Sequence, residues 1–311
     1  MNSITEGMKN RKRIVEYAIK HNNNAKAARR YHVTRQYVSY WRKRNDNTIE
    51  SLRKKSTRPK SHPNQHTEEE LELIRHMHRY HSHKGLAHVY RKCMDEGYTR
   101  TYDSMCRQIR RLKLKEPKEK KKRKHRKKEE KNKYTYPGQL VEIDVKYVPL
   151  ECIGFASNYS RYFQITAMDV FSRKRVLKIV NENSTYTTSQ FLLKLEEEMG
   201  FNIETIQTDN GKEFCNDEEK TNKKSLFEKT AKKLGMKYIR TAPYSPWQNG
   251  HVERSHREDE EMLYQKKRFT SEENMVKSVK RHNNRGNNIY RKVLEFKSAN
   301  EIVYEYFRKA A

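Results

Sequence analysis

The chain has 311 residues and a formal net charge of +29, from 69 Lys and Arg against 40 Asp and Glu. That length holds two or three domains, and the positive excess goes far beyond what solubility requires, so a polyanion, first of all nucleic acid, is the natural partner. Hydrophobic residues make up 33%, too few for one large core; no apolar run reaches the roughly 20 residues of a membrane span, and no apolar signal core follows Met1. Cys93, Cys106, Cys152 and Cys215 are scattered without paired spacing, which reads as free thiols in a reducing compartment. The expectation is a cytoplasmic protein in contact with DNA and not with membrane.

Residues 1–50 read as a helix-turn-helix domain. Asn10 to Lys20 carries Ile14, Val15 and Ala18 at helical spacing, Asn24 to Tyr31 is a second short helix, and Thr34 is an N-cap for Arg35 to Arg44. In the last helix Val38 and Trp41 form an inward pair. Arg35, Gln36, Ser39, Arg42 and Lys43 are left as candidate DNA contacts in a major groove. An ordinary three-helix bundle with a solvated basic face remains the plainer reading.

Residues 51–66 are a basic linker containing Ser and Pro. Residues 67–112 form a second helical, helix-turn-helix-like module. Thr67 with Glu68, Glu69 and Glu70 starts its first helix, and Gly85 to Met94 and Thr101 to Leu112 supply two more. Arg107, Arg110 and Arg111 of the last helix are candidate phosphate contacts. His76, His78, His81, His83 and His88 lack the spacing of a structural zinc site and read as exposed helix histidines. Lys113 to Lys133 is so basic and so poor in apolar residues that it cannot build a core. It reads as a second linker, suited to a DNA backbone.

Residues 134–265 read as an α/β core and residues 266–311 as a helical tail, broken near Asn283, Asn284, Gly286 and Asn287, with Ile302 to Phe307 packing back on the core. Leu140 to Leu150 is a strand with Asp144 at its middle, and Glu142, Asp144 and Lys146 share one face by the period of two. Arg161 to Phe171, Lys174 to Val180, Ile203 to Asp209 and Lys237 to Thr241 supply further strands. Ser184 to Met199 and Leu226 to Leu234 supply helices. Asp209 ends its strand just before an Asn-Gly turn. Asp169 precedes a turn at Ser172 and reads as structural, and Glu213 reads as a loop charge. Pro243 and Pro246 exclude helix before Trp247, and Asn249 or Gly250 then caps a polar helix with Glu253 in its first turn. Trp247 and Tyr244 either stack on an unpaired base or pack beneath the loop. Three carboxylates on separate elements suit Mg²⁺ or Mn²⁺, as two-metal phosphoryl transfer requires.

The segments IDVKYV, QTDNGKEF and APYSPWQNGHVERSHR together resemble the catalytic core of the retroviral-integrase-like D-D-E transposases of bacterial insertion sequences, over roughly Tyr136 to Tyr264. The resemblance implies an RNase H-like fold, a mixed sheet flanked by helices, behind all-α DNA-binding modules. It assigns Asp144, Asp209 and Glu253 as catalytic residues and as ligands of two Mg²⁺ or Mn²⁺ ions. It implies 3′-end cleavage and strand transfer at the ends of a mobile element, with the chain acting as a homo-oligomer on DNA. Two features depart from the family pattern. The interval from Asp209 to Glu253 is long (253 − 209 = 44), which the polar stretch Cys215 to Lys224 explains as a surface insertion. Glu260 stands where many members carry Lys or Arg, and Arg257 is the candidate DNA-contacting replacement. The alternatives are an inactive DNA-binding regulator on the same scaffold and an RNase H-like nuclease without transposition.

Overall fold

The computed structural model describes residues 4–57, 59, 62–115, 134–216, 223–242 and 245–310. Most of the second basic linker, the middle of the Cys215 to Lys224 insertion, and Tyr244 lie outside the described residues. The chain forms two compact units, Met1–His66 and Thr67–Ala311.

The first unit is α1 (Glu6–Lys20), α2 (Asn24–Arg30) and α3 (Arg35–Arg44), closed by a 3-10 turn at Glu50–Leu52. Asn23 accepts from the amide of Lys26 and Thr34 from that of Tyr37, so side chains satisfy both helix starts. Between them His32 takes φ 52°, which makes the turn tight. Ile14, Ala18, Ala27, Ala28 and Val38 form one cluster, and Val15, Trp41 and Leu52 a second. Burial of Leu52 places it in the packed domain, beyond the boundary expected at residue 50. The larger of these, Ile14, Val15, Val38 and Leu52, each contribute about 1.5–3 kcal/mol by leaving water.

The second unit opens with α4 (Glu68–His81), α5 (Leu86–Asp95) and α6 (Tyr102–Arg111) around Ile74, Val89, Cys93, Met105 and Ile109. Thr67 and Glu70 form a reciprocal capping box at the start of α4. The histidines divide by burial. His76 and His83 are exposed and His78 and His81 half-buried, but His88 is buried, stacked on Tyr290 at 4.9 Å. Its apolar-flanked place on α5 overrides the expectation of exposure.

The sheet has the order β3-β2-β1-β4-β5, with β1 (Val141–Tyr147), β2 (Phe163–Asp169), β3 (Arg175–Val180), β4 (Thr205–Thr208) and β5 (Lys237–Arg240). β1, β2 and β3 run antiparallel in sequence, while β4 joins β1, and β5 joins β4, in parallel. The helices α7 (Thr185–Met199) and α8 (Leu226–Lys233) cover one face, where Val141 and Ile143 meet Phe191, Leu192, Leu195, Phe214 and Phe227. Gly200, at φ 74°, closes α7 in the left-handed conformation. The alternate residues of β1 turn to the other face, toward α9 (Gly250–Met262). There α10 (Glu272–Asn287) packs along β3, with Leu177, Tyr264, Phe269, Met275 and Val279 in the core between them. The last helix, α11 (Ala299–Ala310), returns Val303 to the main core, as expected for the tail. This is the RNase H-like arrangement, a five-stranded mixed sheet with helices on both faces, preceded by helical modules.

Two helix boundaries are set by physical detail. α10 runs through Asn283, Asn284 and Gly286 and ends at Asn287, the last of the four residues expected to break the tail. A Cβ at Gly286 would lie 2.6 Å from the Arg175 guanidinium, so the glycine is there for close approach. The Asn287 side chain accepts from Arg175 N at 3.0 Å and donates to Arg175 O at 2.8 Å, which satisfies the open edge of β3. A 3-10 turn begins at Pro246, ahead of the expected helix start, because proline suits a first helical position that needs no amide.

Candidate active site

β1 and β4 place two of the three predicted carboxylates side by side. Their register pairs Val141 with Ile206 and Glu142 with Gln207; carried on by two residues, it sets Asp209 abreast of Asp144. Asp209 follows the last residue of β4 and accepts from the Gly211 amide at 3.0 Å, which makes it the Asx turn of the Asn-Gly corner. Glu253 lies in the first turn of α9 and is exposed.

Asp144 is half-buried, and one of its carboxylate oxygens accepts from the Val145 amide at 2.8 Å. Burial, then the negative charges of Asp209, Glu213 and Glu253, push its pKa up to about 7. Burial and then Glu142 raise Glu253, and burial and Asp209 raise Glu213. The sequence reading missed Glu213, which is half-buried and adds its charge to the cluster. Asp169 is not part of the cluster. It accepts from Gly138 N, Ser172 N and Ser172 Oγ and fixes the β2–β3 turn, the structural role expected of it. Among the described residues, no three His, Cys, Asp or Glu side chains stand close enough together to hold one ion. The donor chemistry nevertheless fits a hard divalent cation: oxygen ligands only, with mutual repulsion that a cation relieves.

Burial and that repulsion together yield a sign for stability. A carboxylate whose folded pKa is raised from 3.8 to about 7 favours the folded state only while protonated, so its penalty appears as pH rises from about 4 to about 7. Without divalent cations, Asp144→Asn is expected to stabilise the protein at pH 8 by about 2–4 kcal/mol, with no advantage at pH 4. Urea unfolding at the two pH values measures it; equal stability of the two proteins at pH 8 contradicts the clustering of these charges.

The helix bearing Glu253 is held on β1 by the residues either side of Asp144. Asn249 makes no capping bond, contrary to the sequence expectation. Glu142 of β1, 2% exposed, performs that task instead: one carboxylate oxygen accepts from both His251 N and Val252 N at 2.9 Å, and the other contacts His251 Nδ1 at 2.7 Å. Further along, Lys146 donates to His256 O at 3.2 Å, lies 3.6 Å from Glu260 and sits over the Tyr264 ring. Glu260, at the family's cation position, is thus met by a lysine from the neighbouring strand. Beneath α9, Arg175 donates to Ser255 Oγ and to Asp259, both at 2.7 Å. His282 and Gln164 also reach Asp259, and Arg175 leads these partners in holding its carboxyl well below the usual range against the cost of burial.

The candidate DNA contacts divide by exposure. Arg257 is exposed one turn after Glu253, and Arg107, Arg110 and Arg111 are exposed on α6. On α3 of the first unit Arg35, Gln36 and Lys43 are exposed and Ser39 is half-buried. Arg42 is half-buried and donates to Asn24 Oδ1 at 3.1 Å and to Asn22 Oδ1 at 2.8 Å, which ties the two helices together. Trp247 is 57% exposed and so does not pack beneath its loop.

A family model described as Integrase core domain matches residues 135–246, and one described as Helix-turn-helix domain matches residues 10–60. The integrase match contains Asp144 and Asp209 and stops before Glu253. No curated protein matches the chain. Among solved structures, the chain is similar to a simian T-cell lymphotropic virus intasome (18% identity, 62% of this chain and 60% of that one, TM-score 0.35). It is also similar to the HTLV-2 integrase catalytic core domain in complex with magnesium, in dimeric form (19% identity, 39% of this chain and 66% of that one, TM-score 0.28). A third likeness is to the catalytic core domain of BIV integrase (20% identity, 56% of this chain and 98% of that one, TM-score 0.38). The chain thus spans less than two thirds of the first two of these. Over residues 135–246 the chain is similar to the integrase core domain family, and over residues 10–60, ahead of it, to a helix-turn-helix domain.

Proposed function

We propose that the chain is a DNA transposase that binds the ends of a mobile element, cleaves at their 3′ ends and joins them to target DNA. The observation that carries this reading is the juxtaposition of Asp144 and Asp209 on parallel strands, with Glu253 on a helix fastened to the same strand as Asp144. Asp144, Asp209 and Glu253 would hold two Mg²⁺ or Mn²⁺ ions. When bound, such ions neutralise charge that develops on a phosphodiester during in-line displacement.

The protein's own groups supply position. Glu142 and Lys146 fix α9, so that Glu253 and Arg257 present one exposed face to DNA. Trp247 offers a ring for an unpaired base beside the site. The exposed arginines of α6 and the exposed face of α3 supply phosphate and groove contacts, and the +29 charge supports binding to a polyanion. We also assign residues 1–50, extended by the buried Leu52, and 67–112 to DNA binding and 134–265 to catalysis, with 266–311 supplying Phe269, Met275, Val279 and Val303 to the catalytic core. Action as a homo-oligomer on DNA, in the cytoplasm, belongs to the same proposal.

The test is single-turnover cleavage of labelled duplexes that carry the DNA flanking the chain's own gene. Cleavage at the 3′ ends with Mg²⁺, absent with EDTA, is the expected result. Specific binding of those ends without cleavage in Mg²⁺ or Mn²⁺ would favour the regulator instead.

A further inference from the structure

A chain of hydrogen bonds runs from the buried polar layer under α9 to His256, whose Nδ1 stands 3.4 Å from the Asp144 carboxylate. Asp259 is an anion, paired with Arg175 at 2.7 Å, so the Gln164 amide nitrogen 2.8 Å away must donate to it. The Tyr264 hydroxyl donates to Gln164 Oε1, which sets the amide in the same orientation. The second amide proton of Gln164 then goes to Thr166 Oγ1 at 2.9 Å. With that oxygen accepting from Gln164, the threonine's own proton is available to His256 Nε2, 3.0 Å away. An Nε2 that accepts leaves the single proton of a neutral ring on Nδ1, and Nδ1 lies 3.4 Å from Asp144 Oδ2.

We propose that His256 is the positioning residue of Asp144: Gln164 and Thr166 hold its ring as the Nδ1–H tautomer, which aims that N–H at Oδ2. Asp144 then has the Val145 amide donating to Oδ1 at 2.8 Å and the His256 Nδ1 facing Oδ2 at 3.4 Å. One lone pair of each oxygen stays free for a cation, and the carboxylate rotamer is set before any ion arrives. His256 is one turn beyond Glu253 on α9, so the same helix that brings Glu253 to the site also orients Asp144. The function of this contact rests on Asp144 being a metal ligand, as proposed above; the tautomer does not.

Two measurements on the full chain test it. Long-range ¹H–¹⁵N correlation of ¹⁵N-histidine protein, metal-free at pH 7.5, reads the tautomer, with the His256 signal assigned through His256→Asn. Nδ1 protonated and Nε2 bare is expected, shifting toward the Nε2–H form in Thr166→Val; an Nε2–H ring in the unaltered protein overturns the relay. Mn²⁺ affinity is the second readout. His256→Leu is expected to bind about 10-fold more weakly or worse, and His256→Asn, which keeps a donor, to stay within about threefold of the unaltered chain. Unchanged affinity in His256→Leu overturns the positioning role even with the tautomer intact. Failure of the unaltered chain to bind Mn²⁺ overturns that role together with the metal-ligand reading. A correct tautomer with normal Mn²⁺ binding but no DNA cleavage counts against the transposase reading alone.

Discussion

Replacement of Asp209 by Asn, or of Asp144 by Asn, is expected to lower strand transfer by roughly 10³-fold or more, a barrier increase of about 4 kcal/mol. Both substitutions keep the size of the side chain and remove only the charge, so the sheet should stay intact. Asp209 keeps its turn-forming role, because the Asn side-chain oxygen can accept from the Gly211 amide as the carboxylate does. Binding of the DNA ends should change less than about threefold. The helix-turn-helix domain at residues 10–60 and the arginines of α6 lie on other elements, and fewer acids in the site cannot weaken the pull on phosphate. Gel-shift titration and product analysis on one substrate separate the two effects. Strand transfer at the unaltered rate by either variant would remove that residue from the catalytic set.

The largest effect on folding is expected at Arg175. Its guanidinium and the Asp259 carboxylate are 2% and 0% exposed and 2.7 Å apart. A charge so placed is tolerable only while paired, so Arg175→Met leaves Asp259 uncompensated and should cost about 3–5 kcal/mol. The loss is also architectural. Arg175 sits on β3, bonds α9 through Ser255 and Asp259, and faces the Gly286 backbone of α10. In the Thr67–Ala311 unit this corresponds to a fall of roughly 10 °C in unfolding midpoint. Removing both charges, as Arg175→Met with Asp259→Leu, should recover part of the loss but not all. Gln164 and His282 would then lack the acceptor they now share. A single variant as stable as the parent chain would show that the pair contributes nothing.

Local pattern carried much of this structure. The alternation in VEIDVKY already divides Val141, Ile143 and Val145 from Glu142, Asp144 and Lys146, and the two sets face opposite sides of the sheet. Asp169 beside Ser172, and Gly200 after a helical stripe, were readable because turn and cap chemistry is settled within a few residues. What escaped notice depends on partners far away in sequence. Glu142 caps a helix 109 residues on, Arg175 meets Asp259 across 84, and Asn287 bonds Arg175 across 112. Periodicity shows which face such a residue occupies but not what it meets there. The break expected over Asn283, Asn284, Gly286 and Asn287 comes only at the last of them for the same reason. Helix propensity argues for an end, and tertiary bonds to β3 outweigh the roughly 1 kcal/mol that a glycine costs. Glu213 was missed because a charge in a loop is usually solvated, and nothing local shows that this loop folds beside Asp144.

The most direct test of the whole reading is joining of the flanking DNA ends to a target plasmid in Mg²⁺, with the unaltered chain and Glu253→Gln side by side. Glu253 lies outside the matched integrase residues and stands in the site only through the docking of α9 on β1. Joined products from the unaltered chain, and none from Glu253→Gln at equal end binding, are expected. Equal joining by both proteins would contradict it.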